Sequence, residues 1–390
     1  MKNPKNWTAA AFLAILAGCL CLVLTGLVLH PAPAYEPGEE GPTYTGVVKW
    51  FEDTCRTFCT TALPGQVRLK EANAAVNRLA GKWIFESTNV VRLRNGHLTN
   101  VKWYLYEEER PWEQVSAFRD YVEDELGVPY LYVQAPCKLC ALDDQLPMAD
   151  MSNQNEAADL LLRELAGRGV DALDLRPALH GDGLDHYAAF FLTDHHWTPD
   201  TGLWAARTVA EDLSERYGLD MDCAALAEEN YTRRVWEGVF LGSWGRKVTR
   251  VCAQPEDFVL PVPVHPVRMR LTRDGREFEG GFEALYDESK IIPGDLYTGS
   301  SYSSLLRGDC GYIKVENLDR PDGPVVAVLR ESFAGAAGPY LALASGELHL
   351  LDARYYKGSV KELLAGIQPD VVISLLNVQS HTGVYFDMVG

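Results

Sequence analysis

The sequence predicts an α/β fold with a parallel central sheet covered by helices on both faces. In the C-terminal part, apolar runs at 325–329 (VVAVL) and 371–376 (VVISLL) predict strands, and a third strand is predicted between them at 347–351. Helical segments separate these runs, and strands that are apolar along their whole length are typical of parallel sheets buried on both faces. Ligands of such sheets bind at the carboxyl ends of the strands, so polar residues there are the first candidates for function.

The same alternation of strands and helices is predicted earlier in the chain. Two further strands are predicted at 128–134 and 171–175. Helices are predicted at 155–168, 198–217, 335–344 and 359–366. Residues 223–304 differ, because Gly, Pro and scattered β-branched residues occur there without helical periodicity. We therefore expect one α/β domain at 83–390 with an irregular or β-rich insertion at about 223–304.

The N-terminus carries the pattern of a membrane anchor. Residues 7–29 form a run of 23 residues without a charge, and Lys2 and Lys5 precede it. About 20 apolar residues span a bilayer, and flanking lysines favour a cytoplasmic N-terminus. We therefore predict an N-terminal transmembrane signal anchor at 1–30, a linker and juxtamembrane helix at 31–82, and a main domain outside the cytoplasm on a single-pass membrane protein.

Three alternatives for this segment stay open. Cys19 follows a lipobox-like sequence, which would make the protein a lipoprotein. Residues 32–34 have the small-x-small form of a signal peptidase site. The third alternative is a buried core helix. The first two alternatives, like the anchor, place the main domain outside the cytoplasm, whereas a core helix does not.

The charge of the chain argues against nucleic acid as a partner. Its 54 acidic and 36 basic residues give a formal net charge of −18. A chain this acidic is repelled by the phosphate backbone, and its charge chiefly promotes solubility.

The cysteines predict at most a structural role. Nine are present, and seven lie beyond the predicted anchor, so an odd number leaves at least one unpaired. Cys137 and Cys140 form a C-x-x-C sequence that follows a proline in a loop, which favours a structural bridge or two inert thiols over a thioredoxin-like redox site. Zinc bound by the cysteine pairs is an alternative, although their separation matches no common zinc pattern.

Ser332 is the first candidate catalytic residue. It follows the apolar strand at 325–329 almost at once and precedes a helix rich in small residues. Free backbone N–H groups at the start of a helix can bind an oxyanion, so a serine at this turn is placed as a nucleophile. The alternative is a serine that only caps the helix.

Asp194 and His196 are the second candidate pair. They follow the apolar run at 187–192, which predicts a strand, and they precede the predicted helix at 198–217. In an extended segment residues i and i+2 point to the same side, so the carboxylate can orient the imidazole as a general base. A metal site of the phosphoesterase kind and a purely structural loop are the alternatives.

The sequence Asp194-His195-His196-Trp197 resembles the motif of the DHHW protein family, which is similar to the SGNH-hydrolase-like domains of the alginate O-acetyltransferases. The resemblance runs from about residue 83 onward. It implies a three-layer α/β/α sandwich and acetyl transfer to, or removal from, a cell-surface or exported polysaccharide. It also implies Ser332 as nucleophile and Asp194 and His196 as the acid–base pair. We expect no cofactor and no metal.

The resemblance further implies a membrane-bound acyltransferase as donor of the acetyl group, because acetyl-CoA is not expected outside the cell. Lys138 and Trp197 are candidates for substrate binding, by reach into the cleft and by stacking on a sugar. One departure concerns Glu331, since the family carries Asp before the serine. This departure supports a non-catalytic carbohydrate-binding surface protein as an alternative function. An O-acetyl esterase is another alternative, if water replaces the sugar as acceptor.

Overall fold

The computed structural model describes residues 43–57, 64–85 and 89–380, together with scattered positions between 10 and 34. The chain divides into two compact units, Met1–Gly81 and Lys82–Gly390. The first unit contains helices α1 (Tyr44–Thr57) and α2 (Gln66–Leu79). The predicted anchor at 1–30 falls largely on residues outside those described. Within the described part, no helix combines the length and apolar character needed to cross a bilayer.

The second unit contains thirteen strands and eight α-helices among its described residues, besides a π-helix at Tyr121–Leu126 and short 3-10 helices. The strands are β1 (Ile84–Phe85), β2 (Val90–Arg92), β3 (Leu98–Asn100), β4 (Tyr130–Gln134), β5 (Ala172–Asp174), β6 (Tyr231–Phe240), β7 (Glu256–Pro263), β8 (Met269–Arg273), β9 (Arg276–Gly280), β10 (Tyr312–Asn317), β11 (Val325–Arg330), β12 (Glu347–Leu351) and β13 (Val371–Leu376). The α-helices are α3 (Tyr106–Glu109), α4 (Pro111–Asp120), α5 (Gln154–Gly167), α6 (Leu175–Gly181), α7 (Pro199–Tyr217), α8 (Ser243–Val248), α9 (Ala334–Ala344) and α10 (Val360–Ile367).

Eight of these strands form one central, mostly parallel sheet in the order β5-β4-β13-β11-β12-β10-β8-β9. The five strands from β5 to β12 pair in parallel, and β10, β8 and β9 continue the sheet in antiparallel fashion. The predicted α/β class and mostly parallel sheet are confirmed. The predicted strands at 347–351 and 371–376 agree with β12 and β13, because uninterrupted apolar runs mark buried parallel strands.

Both faces of the sheet are buried. On β4, Leu131 and Val133 pack in one core with residues of α7 and α9, whereas Tyr130 and Tyr132 pack in another with residues of α4, α5 and α10. Side chains alternate across a strand, so each strand of the parallel half contributes to both cores. Each large apolar side chain buried in this way stabilises the fold by about 1.5–3 kcal/mol.

Helices α7 and α9 approach each other closely beneath the edge of the sheet where Ser332 lies. A Cβ atom on Gly202 would lie 2.5 Å from the backbone carbonyl carbon and oxygen of Ala336, so only glycine permits this approach. Every residue of α9 is buried, including Pro339 within it. A helix that is apolar all round belongs in the protein core, and its start is therefore held firmly in place.

Residues 223–304 form a separate two-stranded sheet and also add two strands to the main sheet. Strands β6 and β7 pair with each other, separately from the main sheet, and α8 lies between them in the chain. Strands β8 and β9 instead join the antiparallel edge of the main sheet, where β8 pairs with β10.

The predicted strand at 187–192 is wrong. Residues 187–198, here called the Asp194 loop, form turns with a single bridging pair between Phe190 and Trp197. The loop folds back on itself, because Phe191 N–H donates to the His196 carbonyl and Thr198 N–H donates to the Ala189 carbonyl. Its apolar residues are buried among aromatic side chains rather than in the sheet, which explains their strand-like composition.

Candidate active site

The structure brings Asp194, His196 and Ser332 into one hydrogen-bonded chain. The His196 Nε2 atom lies 2.8 Å from Ser332 Oγ, and its Nδ1 atom lies 2.6 Å from Asp194 Oδ1. Both ring nitrogens of His196 therefore have a partner, one a hydroxyl and the other a carboxylate. This arrangement can move a proton from the serine to the imidazole while the carboxylate fixes the ring.

Ser332 lies where β11 ends and α9 begins. Gly335 N–H donates to the Ser332 carbonyl at 3.0 Å, which closes the first turn. The hydroxyl of Tyr302 donates to the same carbonyl at 3.0 Å. The Tyr302 ring also stacks on His196, with centroids 3.9 Å apart and an interplanar angle of 13°. Tyr302 thus holds the imidazole and the serine backbone in position together.

The Asp194 carboxylate is buried and anchored by several donors. The backbone N–H of His196 donates to Oδ1 at 3.1 Å, and the backbone N–H of Ser243 donates to Oδ2 at short range. A Cβ atom on Gly242 would lie 2.4 Å from the Asp194 Cβ and 2.6 Å from Oδ2. Glycine is therefore required at 242, since any side chain there would displace the carboxylate.

The buried Lys138 and the half-buried Glu256 hold the backbone of the Asp194 loop. Lys138 donates through Nζ to the carbonyls of Phe191 and Asp194, each at 2.5 Å. Glu256 on β7 accepts from the backbone N–H groups of Leu192 and Thr193. Lys138 donates to the carbonyls and Glu256 accepts from the N–H groups, so the two side chains together satisfy the hydrogen-bonding groups of this stretch of loop backbone.

Electrostatics leave His196 neutral and Asp194 ionised. Burial, together with the neighbouring His195, lowers the pKa of His196 to about 4, although Asp194 opposes both effects. Burial acts to raise the pKa of Asp194, but the two histidine rings outweigh it and hold that pKa well below the usual value. Near pH 7 the ring can therefore accept a proton from Ser332, and the carboxylate stabilises the imidazolium that results.

Glu331, the departure from the family pattern, is buried beside the serine. Its Oε2 atom lies 3.4 Å from Ser332 Oγ, farther than the imidazole nitrogen. Its Oε1 atom has no hydrogen-bond partner among the described residues. Burial raises the pKa of this carboxyl group, which favours its neutral form.

The structure corrects the two predicted substrate-binding residues. Trp197 is completely buried, donates through its indole N–H to the Phe333 carbonyl at 2.8 Å and packs edge-on against the Phe333 ring, so it has no face for a sugar. Lys138 is also buried, and its ammonium is engaged by loop carbonyls. Both residues therefore support the backbone around the site.

A metal ion is a weaker explanation of the Asp194-His195-His196 cluster. One ligand atom from each residue lies within 4.8 Å of the others, as a metal site requires. However, both ring nitrogens of His196 already face hydrogen-bond partners, and Asp194 Oδ1 accepts from His196 and lies 3.1 Å from His195 Nδ1. The atoms that would bind an ion are thus engaged in proton-mediated contacts.

Sequence reasoning misses three residues of the site: Ser243, Glu256 and Tyr302. All come from 223–304, where no periodicity marks their place. Gly242-Ser243-x-Gly245 lies within the DHHW resemblance, so its glycines were the available signal. The structure gives a reason for both, because a Cβ on Gly245 would collide with Thr193 as well as with Leu241.

A mixed α/β domain that gathers a serine, a histidine and an aspartate at one sheet edge has the architecture of SGNH-hydrolase-like enzymes. The family model described as the SGNH hydrolase-like domain of acetyltransferase AlgX matches residues 98–304, more than half of the chain. The chain belongs to this family and is homologous to SGNH-like O-acetyltransferases. The match includes Asp194 and His196 and ends before Ser332.

Solved structures show the same fold. A structure of Bacillus cereus PatB1 with a sulfonyl adduct has a TM-score of 0.62 at 18% identity, covering 77% of this chain and 97% of that one. A DHHW family protein from Eubacterium siraeum has a TM-score of 0.57 at 16% identity, covering 77% of this chain and 93% of that one. No curated protein sequence matches the chain.

The role of Lys138 as a support of the Asp194 loop gives a stability prediction. We expect Lys138→Met to lower the free energy of unfolding by about 3 kcal/mol, because buried carbonyls lose their donor and Glu256 loses its counter-charge. Urea denaturation of the full-length protein measures the change. Lys247→Met, at an exposed position of α8, is the control and should change stability by less than about 0.5 kcal/mol. Equal stability of the two variants would contradict this role.

Proposed function

We propose that the protein is a Ser-His-Asp O-acetyltransferase that acts on a cell-surface or exported polysaccharide, with Ser332 as nucleophile, His196 as general base and acid, and Asp194 as the residue that orients His196. The observation that carries this proposal is the unbroken chain of contacts from Ser332 Oγ through the His196 ring to Asp194. Membership of an acetyltransferase family supports the acyl group proposed.

The first half-reaction acetylates the enzyme. His196 Nε2 takes the proton of Ser332, and the serine oxygen forms a bond to the carbonyl carbon of an acetyl ester. The tetrahedral intermediate then expels the donor alcohol, which receives the proton from His196. The products are acetyl-Ser332 and the free donor alcohol, with neutral His196 restored.

The start of α9 supplies the oxyanion site. The first N–H groups of a helix lack intrahelical acceptors, and the positive end of its dipole favours negative charge. The backbone N–H groups near Ser332 and Phe333 lie at this start. One such donor typically lowers the barrier by about 3 kcal/mol, because it is fixed in place before charge develops.

The second half-reaction transfers the acetyl group to the polysaccharide. His196 takes the proton of a sugar hydroxyl, whose oxygen attacks the acetyl carbonyl. Collapse of the intermediate breaks the bond to Ser332 Oγ, which regains a proton from His196. If water takes the place of the sugar, the same steps make the site an esterase.

We propose an extracytoplasmic location for this chemistry, with residues 1–30 as the membrane anchor and a membrane-bound acyltransferase as donor partner. The uncharged run at 7–29 and the lysines before it support the anchor. An anchored domain stays near a membrane-bound donor. Cell fractionation tests the anchor, and recovery of the full-length protein in the soluble fraction would contradict it.

The central test is removal of the nucleophile. We expect Ser332→Ala to lower turnover of 4-nitrophenyl acetate by at least about 10³-fold, because members of a triad act as a unit. Ser116→Ala on α4 is the matched control and should retain wild-type turnover. A sulfonyl fluoride should label wild type at Ser332, as mass spectrometry would show, with the serine oxygen bonded to sulfur and fluoride released.

Equal turnover by wild type and Ser332→Ala would overturn the enzymatic proposal. The carbohydrate-binding alternative would then be preferred, since it keeps the fold without needing an activated serine.

The pH profile follows from the neutral state of His196. Burial lowers its pKa to about 4 from an ordinary value of 6.5, so the ring stays neutral and able to accept a proton at every pH above about 4. We therefore expect kcat/KM for 4-nitrophenyl acetate to fall only as the pH drops through about 4. This limb reports the free enzyme. A midpoint near 6.5 would show that the ring is not in the buried environment described.

An acceptor assay separates transferase from esterase. With 4-nitrophenyl acetate as donor and short oligosaccharides as acceptors, we expect acetylated oligosaccharide by mass spectrometry and a release of nitrophenol that rises with acceptor concentration. Ser332→Ala with the same acceptors corrects for spontaneous transfer. Free acetate as the sole product, with release independent of the acceptor, would identify an esterase.

A further inference from the structure

A second cluster of metal-ligating side chains shares no residue with the Ser332 site. Cys140 lies in the loop after β4, His180 lies in the last turn of α6, and His186 lies in the segment that follows α6. One ligand atom from each lies within 4.8 Å of the other two. Cys140 Sγ and His180 Nε2 are 3.7 Å apart. In tetrahedral zinc sites a sulfur and a nitrogen ligand are about 3.6 Å apart, so this spacing already suits a shared ion.

The hydrogen bonds of His186 leave one ring nitrogen free to bind an ion. Its Nε2 atom lies 3.0 Å from the carbonyl of Cys137 and 3.2 Å from that of Lys138. A carbonyl can only accept, so Nε2 carries the hydrogen and Nδ1 carries the lone pair. That Nδ1 atom is buried and has no hydrogen-bond partner in the part of the chain that the structure describes. Histidine ligands of metals typically donate the other N–H to a backbone carbonyl in this way.

The surroundings of the cluster suit a bound ion rather than a reactive thiol. Cys140 and His186 are buried, whereas His180 is half-buried and gives access from solvent. Apolar and aromatic side chains pack around Cys140, namely Leu93, Leu139, Leu146 and Tyr187. A thiolate with two imidazoles is a ligand set that Zn²⁺ favours, and the ion would resolve the otherwise unpaired nitrogen of His186.

We propose that Cys140, His180 and His186 bind one zinc-class divalent ion, with a solvent molecule in the fourth position. Binding releases the thiol proton of Cys140 to solvent. The ion joins the loop after β4, which carries Lys138, to α6 and to the segment that leads to Asp194. It therefore stabilises the support of the Asp194 loop and takes no part in acyl transfer.

Cys137 is a natural control, although it belongs to the same C-x-x-C sequence. Its side chain packs in the core formed with α4, α5 and α10, whereas Cys140 packs in a separate cluster. Both thiols are free. Burial also raises the pKa of Cys137 to about 12, so it is a poor ligand at neutral pH.

Cobalt titration tests the site with a readout independent of activity. The full-length protein, purified in detergent and stripped by a chelator, is titrated with Co²⁺. We expect thiolate-to-cobalt charge-transfer absorption that saturates at about one ion per chain and is displaced by Zn²⁺. Of the two clusters of metal-ligating side chains found in the described part of the chain, the Cys140 cluster contains a thiol and the Asp194-His195-His196 cluster does not. Zn²⁺ should also raise the Tm of the stripped protein.

Variants of the cluster and control variants should differ in cobalt binding. Cys140→Ala should abolish the absorption, His180→Ala should weaken cobalt binding at least about tenfold, and Cys137→Ala should behave as wild type. Ser332→Ala should bind as wild type too, so failure of the proposed enzymatic function would not affect this result. The proposal is overturned if folded wild type shows no thiolate–cobalt absorption, or if the absorption survives in Cys140→Ala. If Cys140→Ala does not fold, the half-buried His180→Ala and wild type decide.

Discussion

The buried carboxylate of Asp194 is the constraint on which the candidate site depends. It lies where water cannot solvate it, so its charge is sustained by the rings of His195 and His196 and by the backbone N–H of Ser243. These contacts fix the carboxylate, which fixes the His196 ring and in turn sets the distance to Ser332. A buried charge that lost these partners would carry a large desolvation penalty. The same contacts that stabilise the loop therefore orient the groups proposed for proton transfer.

This constraint explains why residues far apart in sequence surround one short loop. Lys138 comes from the loop after β4, Glu256 from β7 and Tyr302 from a turn before β10. A loop without ladder hydrogen bonds must find partners for each buried N–H and C=O group, and charged side chains supply them here. The glycine at 242 lets a further backbone segment approach the carboxylate. The elements at 223–304 therefore contribute residues directly to the site.

The parallel half of the fold and the central residues of the site were predictable from sequence because they follow local rules. Continuous apolar runs mark β11 and β13, and Ser332 stands at the carboxyl end of β11. The predicted contact between Asp194 and His196 is present, but the prediction assumed an extended strand, whereas the segment that carries both residues is a turn. Lys138 and Trp197 were misjudged because their burial depends on distant elements, which periodicity does not report. Strand β10 (YIKVEN) alternates buried and half-buried residues, as is typical of an antiparallel strand. Its sequence also alternates apolar and polar residues, so this strand could have been predicted.

Glu331 shows how a departure from the family pattern is accommodated beside the proposed nucleophile. A negative charge next to Ser332 would oppose the oxyanion that must form in acyl transfer. Burial raises the pKa of Glu331, which shifts this carboxyl group towards the neutral acid and so reduces that repulsion. The longer side chain keeps Oε2 at 3.4 Å from Ser332 Oγ, so the imidazole at 2.8 Å remains the nearer acceptor for the hydroxyl proton. The burial of Glu331 and its distance from Ser332 Oγ are therefore compatible with Ser332 as the proposed nucleophile.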